Sequence, residues 1–163
     1  MAAKDFTLDP VGGDYGISKA TKFNKHLIFT RHGDYDGGTI IINNKGQIYD
    51  MIGGINYLDT EAELLFTSYE SDMGSFAVFD LKMDSTILEM HGIEERPWSF
   101  HKALEGRYFM TCVDDRTDKQ SVWELDLDLG KKTKVELTDS EINSKNVLKK
   151  ISDEEYIDCV CEK

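Results

Sequence analysis

The chain lacks the residues and runs that would settle its class at once. Its three cysteines, Cys112, Cys159 and Cys161, are too few for a disulfide scaffold. Cys159 and Cys161 stand two apart, so on a strand they point to one face, and no CxxC or paired histidine completes a zinc site. They read as small buried residues, or Cys112 pairs with one of the C-terminal two in an oxidising compartment. No apolar run approaches the ~20 residues of a membrane span, so no span is expected. Met1-Ala2-Ala3-Lys4-Asp5 lacks the apolar stretch of a secretory signal, which leaves a cytoplasmic protein or one whose signal has been removed. Basic residues are outnumbered, 19 against 31, for a formal net charge of -12. Phosphate binding needs clustered cations, so nucleic acid and anionic membrane are disfavoured as partners. The charge suits a basic protein partner by electrostatic steering, or serves solubility alone.

Catalytic signatures are equally scarce. There is no Gly-rich phosphate loop, no Ser-His-Asp order and no GxSxG. Cys112 has no base beside it in sequence. Only the stretch 139–150 leans towards helix, and Asn143 and Asn146 weaken it, so it reads as a loop or one short helix.

What the chain does have is a unit written three times. Leu27-Ile28-Phe29-Thr30, Leu64-Leu65-Phe66-Thr67 and Tyr108-Phe109-Met110-Thr111 each open a polar loop, a second apolar run, a turn and a third apolar run. The first copy places strands from about Ile17, then at 26–31, 39–43 and 47–52, with the turn Asn44-Lys45-Gly46 between the last two. The second places them at 55–58, 64–68, 76–81 and 86–90, and the third at 98–100, 108–112, 122–127 and 133–137. Val, Ile, Phe, Tyr and Thr dominate these runs, as strands require. Thr30, Thr67 and Thr111 stand 37 and 44 residues apart, the length of a four-stranded propeller blade. A blade cannot bury both faces alone, so neighbours must stack. A half copy, 147–151 and 156–161, ends the chain, and Phe6-Thr7-Leu8 is placed to complete it. The expectation is one all-β domain over 1–163: a small β-propeller of three four-stranded blades plus a closing half blade.

Each candidate site has a plainer reading beside it. Asp34-Tyr35-Asp36-Gly37-Gly38 shows alternating carboxylates, as do Asp114-Asp115-Arg116 and Asp118, but neither completes a calcium loop, and both read as hairpin loops. His91 and His101 flank Trp98 without a nearby cysteine and read as solvent or packing residues. No metal or cofactor is expected. On a propeller the loops between second and third strands gather on one rim. Here they are 32–38, Tyr69-Glu70-Ser71-Asp72-Met73-Gly74-Ser75, and 113–120, all with carboxylates. Loops on a rigid scaffold are where binding usually resides, and the same segments also suit plain solvated connections.

Thr30-Arg31-His32-Gly33 after an apolar strand resembles the opening of the histidine phosphatase superfamily. That resemblance implies a nucleophilic His32 and a phosphate-binding Arg31, with Lys45-Gly46-Gln47 near the family's first helix. It stops there: no arginine lies between Ser68 and Arg96, and no histidine follows His101. A phosphoryl site without those groups lacks its acid/base partner and half its charge clamp. A degenerate phosphohydrolase using Arg31-His32-Gly33 is the enzyme alternative.

Phe66-Thr67-Ser68 followed by Phe76-Ala77-Val78-Phe79-Asp80 is similar to the TolB-type propeller repeat. In length and blade order, from Phe6 to about Leu127, the chain resembles the small propellers of type VI secretion amidase immunity proteins. The resemblance implies a non-catalytic inhibitor that pushes a rim loop into the Cys-His site of a cell-wall amidase, a basic hydrolase, in the periplasm. The loop of residues 69–75 would be that element, with Asp72 and the Ser71 and Ser75 hydroxyls bonding the target. The family's adjacent serines are here separated by Asp72-Met73-Gly74.

Overall fold

The computed structural model describes residues 16–17, 21–32, 37–69, 74–103, 106–114, 116–136 and 156–157, and among them every regular element is a strand. No helix is long and apolar enough to cross a membrane among these residues. The strands form three antiparallel meanders, one per sequence copy. The first holds β1 (Gly16–Ile17), β2 (Thr21–Phe23), β3 (His26–His32), β4 (Gly38–Asn43) and β5 (Ile48–Ile52). β1 pairs with one end of β3 (Ile17 opposite Arg31) and β2 with the other (Phe23 opposite His26), so the two together fill one strand position. The middle sheet holds β6 (Gly54–Asp59), β7 (Leu64–Tyr69), β8 (Gly74–Asp80) and β9 (Ser85–Ile93). The third holds β10 (Arg96–Ala103), β11 (Tyr108–Val113), β12 (Gln120–Asp126) and β13 (Lys131–Lys134), and β14 (Tyr156–Ile157) pairs with β10.

Thr30, Thr67 and Thr111 fall on β3, β7 and β11, the equivalent strands of the three sheets. The turns repeat as well. A carboxyl or amide side chain closes each turn after the third strand position. Asn43 Oδ1 accepts from the N–H of Lys45 and of Gln47, Asp80 Oδ1 from Lys82 and Met83, and Asp126 Oδ1 from Leu129. Such side chains mimic a backbone turn, which is why each copy writes Asn or Asp there.

Side chains alternate across the middle sheet and fill two cores. Leu64, Phe66, Phe76, Val78 and Leu88 pack with Phe100, Tyr108, Met110, Cys112 and Leu125 of the third sheet. Leu65, Ala77, Phe79 and Leu81 pack with Ile28, Ile41 and Met51 of the first. A sheet buried on both faces needs near-continuous apolar strands, and β7 and β8 are buried along almost their whole length for that reason.

The expected last strand at 133–137 lies at Lys131–Lys134, because the Asp126 cap starts the turn earlier. Of the closing half copy only Tyr156–Ile157 is described, and it extends the third sheet along β10. Segments 6–8, 147–151, 158–161 and the helix-leaning stretch 139–150 lie outside the described residues. The described strands form three stacked sheets and do not close a ring.

Candidate binding rim

The connections from second to third strand position leave the three sheets at one end. The pairs Arg31–Gly38, Tyr69–Ser75 and Val113–Gln120 mark where each hairpin opens, and the links between sheets, around Gly53 and around Glu95, lie at the same end. Two glycines lock this end. At Gly53, φ is +74° and a Cβ would lie 2.1 Å from the Ser68 carbonyl oxygen, so the link from β5 presses directly on the end of β7. At Gly74 a Cβ would lie 2.5 Å from Pro97 Cδ and 2.8 Å from the Glu95 carbonyl oxygen. The first residue of β8 therefore abuts the start of β10.

Tyr69 and Gly74, which bracket residues 70–73, each border a surface feature. Tyr69 ends β7 and lines a pocket of about 260 Å³ with Arg31, Gly37, Gly38, Asp50, Met51 and Ile52. Arg31 Nη2 lies 3.8 Å from Asp50 Oδ2, and a Cβ on Gly38 would sit 3.2 Å from Asp50 Oδ1, so the glycine leaves room for the pair. Arg31 Nε is buried with no hydrogen-bond acceptor among the described residues. On the other side stands Trp98, 54% exposed, with the Arg96 guanidinium 5.8 Å from its ring centre. Asn56 Nδ2 donates to Ser68 Oγ (3.1 Å) and to the Trp98 carbonyl (3.2 Å), which ties β6 to β10 beside Trp98.

Of the residues picked out in sequence, Tyr69, Gly74 and Ser75 are described; Glu70, Ser71, Asp72 and Met73 lie outside the described residues. Gly74 and Ser75 belong to β8 and are buried, so Ser75 is part of the sheet and not of the loop tip. Arg31 pairs with Asp50, the His32 side chain lies outside the described residues, and Lys45-Gly46-Gln47 is the β4–β5 turn where the phosphatase resemblance implies a helix. Asp114 Oδ1 accepts from Arg116 and Thr117 N–H, so its carboxylate caps a turn; Asp34, Asp36 and Asp115 are not described. Cys112 is a buried free thiol, and burial, with Glu95 nearby, pushes it up to about 12, which removes thiolate chemistry near neutrality. The partnership of Trp98 and Arg96 went unseen in the sequence; an aromatic and an arginine two apart beside a strand start was the available signal.

Polar clusters at and near the rim are tied into the sheets. Glu95 accepts from Ser121 Oγ, from Trp123 Nε1 (2.8 Å) and from Lys134 Nζ (3.2 Å). Burial alone would raise its carboxyl, but these three donors outweigh it and hold it below the usual range. Lys132 lies 4.0 Å over the Trp123 ring, and burial lowers its ammonium. Ser99 Oγ sits 2.7 Å from His101 Nε2 and also meets Thr111 Oγ1, stitching β10 to β11. No cluster of His, Cys, Asp and Glu that could hold a metal occurs among the described residues. No family model, curated protein or solved structure matches this chain.

Proposed function

We propose that this protein is a non-catalytic protein-binding module, and that it acts as an inhibitor by presenting the rim around residues 69–75 to a partner enzyme's active-site cleft. The observation that carries the reading is exposed Trp98, with the Arg96 guanidinium over its ring and joined through Pro97 and Gly74 to the base of that loop. Tryptophan and arginine dominate the energetics of protein interfaces, and strand β10 holds both at the rim. The net charge of -12 favours a basic partner. The resemblance to amidase immunity proteins supplies the partner class, a basic hydrolase such as a cell-wall amidase, and with it a periplasmic setting.

The same reading makes the fold a closed small propeller. In an open stack of three, the outer faces of the first and third sheets would meet water. By strand alternation Phe29 and Ile40 lie on the far face of the first sheet, and Phe109 and Val122 on the far face of the third, yet all four are buried. Burial on both faces of every sheet is what a ring of blades provides.

The test is affinity capture from the native host with the whole chain, with Trp98→Ala and with Asp72→Arg. Wild type is expected to capture a basic hydrolase and to inhibit it at one-to-one stoichiometry, and both variants to lose it. A complex that survives Asp72→Arg removes the loop from the interface. Turnover of a generic phosphomonoester that His32→Ala abolishes would replace the binding reading with the phosphohydrolase.

A further inference from the structure

Each sheet ends in an outer strand, β5, β9 or β13, whose far edge pairs with no described strand. Exposed edges recruit other chains, and proteins guard them with lysines, bulges or proline. β13 is guarded by Lys131, Lys132 and Lys134 within its four residues. β9 is guarded by two bulges against β8, each with the extra residue on β9, and by the exposed Glu89–His91 pair at 3.1 Å. β5 has none of these: Ile48-Tyr49-Asp50-Met51-Ile52 runs in unbroken register beside β4.

The hydrogen-bond phase of β5 follows from its ends. The Asn43 N–H donates to the Gln47 carbonyl and the Gly53 N–H to the Gly37 carbonyl, each at 3.1 Å. In an antiparallel ladder hydrogen-bonded pairs alternate with non-bonded ones. The two end bonds therefore make Ile41–Tyr49 and Thr39–Met51 the bonded pairs. The N–H and C=O of Ile48, Asp50 and Ile52 then point away from β4, and no described residue takes them. The Ile48 and Asp50 side chains lie away from Tyr49 and Met51, which pack on Phe79 and in the core, whereas Ile52 at the strand end packs against that core. Ile48 is 57% exposed, and the Asp50 side chain 60%.

We infer that β5 is a strand-addition site for an extended segment of a partner protein that carries a lysine or arginine opposite Asp50 and an apolar β-former opposite Ile48. Backbone bonds to the outward groups would supply affinity and the Ile48 and Asp50 side chains the selectivity. A second copy of this chain is a poorer occupant, because the register that pairs all five residues sets Asp50 against Asp50. The acidic balance of the chain, -12, favours a basic strand over a copy of itself. One end of this strand borders the rim, since Asp50 and Ile52 line the pocket with Tyr69 and Asp50 lies 3.8 Å from Arg31, but the test leaves residues 69–75 unaltered.

The test uses the full chain labelled for amide NMR and the acetylated, amidated peptide Ile-Thr-Lys-Thr-Val as probe. Binding is expected to slow exchange at the Ile48, Asp50 and Ile52 amides and to leave Tyr49 and Met51, already in the ladder, unchanged. Asp50→Pro removes one outward N–H and no β4–β5 bond, so it is expected to keep the spectrum elsewhere and weaken the peptide about tenfold or more. Glutamate in place of the peptide's lysine is expected to weaken it by about tenfold, with Asp50→Lys reversing that order. Should Asp50→Pro fail to fold, a peptide N-methylated at its β5-facing amides must lose binding while one methylated on its outer side must keep it. No perturbation of β5 at millimolar peptide overturns the inference, as does equal binding to Asp50→Pro. Concentration-dependent dimers that protect the same three amides would also overturn it, by giving the edge to a second copy.

Discussion

The hydroxyl of Tyr108 on β11 donates a 2.6 Å hydrogen bond to the Asp59 carboxylate on β6, so a buried contact between residues 49 apart joins the middle and third sheets. It lies at the end of the sheets opposite the rim. Lys102 Nζ reaches the same Oδ2 at 2.8 Å, and Asp59 Oδ1 accepts from the N–H of Glu61 and Ala62. Burial pushes the Asp59 carboxyl up, but Lys102, Tyr108 and the Ala62 N–H outweigh it and hold it low. One carboxylate thus closes the β6–β7 turn and pins two sheets.

Tyr108→Phe removes a hydrogen bond to a charged acceptor and leaves Lys102 in place, so it is expected to cost about 2 kcal/mol. Asp59→Ala strips the pair, the bond and the turn cap at once and is expected to cost more, about 3–5 kcal/mol. Both act on one network, so the double variant should fall well short of the sum. Urea unfolding of the three variants checks this, and simple additivity would show that the two groups act independently.

Gly53 and Gly46 share a left-handed backbone, with φ of +74° and +77°, and differ in space. A Cβ at Gly46 meets nothing within 4 Å, whereas at Gly53 it meets the Ser68 carbonyl. Gly46→Ala is expected to cost about 1 kcal/mol, the conformational strain alone. Gly53→Ala must also part the first and middle sheets, adding about 1–3 kcal/mol or more. Equal thermal shifts for the two variants would remove Gly53 as the lock between these sheets.

Much of the architecture was readable because the chain repeats it. Three copies aligned at Thr30, Thr67 and Thr111 fixed strand order, and the Asn43, Asp80 and Asp126 turns carry their own chemistry. The run Gly74-Ser75 misled, since both are turn-prone residues. Gly74 is small because Pro97 and the Glu95 backbone occupy the place of its side chain, which no local pattern reveals. Lys131 read as the end of the turn after Asp128, although lysines suit an exposed edge strand. The Asp59–Tyr108 and Glu95–Trp123 contacts join residues far apart in the chain, so only the folded register brings them together.

Acid and alkali should unfold the protein through identifiable groups. Asp59, Asp84 and Glu95 all titrate below their ordinary values of 3.8, 3.8 and 4.5 in the fold. For Asp84 the cause is first the His26 ring, 2.6 Å away, with Asn43 and Lys25 behind it. A depressed carboxylate stabilises the fold above its unfolded value and loses that contribution as pH falls through the folded one. Stability is therefore expected to hold from neutrality down to about pH 5 and to drop below it. On the other side Cys112, Tyr108 and Lys102 titrate above 9.0, 10.0 and 10.5 respectively. Their contribution is complete below those values and fades as pH rises through the folded ones. Urea midpoints across pH should trace a plateau with both shoulders, and Tyr108→Phe should move both, the alkaline one by losing the phenol and the acid one because Asp59 loses a donor. A midpoint that keeps rising below about pH 4 would contradict the acid assignment.

Cys112 offers a probe of the core itself. Its thiol is 1% exposed among the side chains that join the middle and third sheets, and burial holds its proton to about 12. A thiol reagent needs both access and thiolate, and the native state denies both. Alkylation of Cys112, followed by mass mapping so that Cys159 and Cys161 are scored separately, is therefore expected to proceed only through opening of the two sheets. Its rate should rise with urea in step with unfolding and rise again in Asp59→Ala, whose lost pin lies in the same interface. Opening free energies that range from zero to the global value distinguish local from global routes. A rate that is fast in the native state and indifferent to urea would mean that the interface around Cys112 breathes by itself, and that the Asp59–Tyr108 bond does not hold the sheets closed.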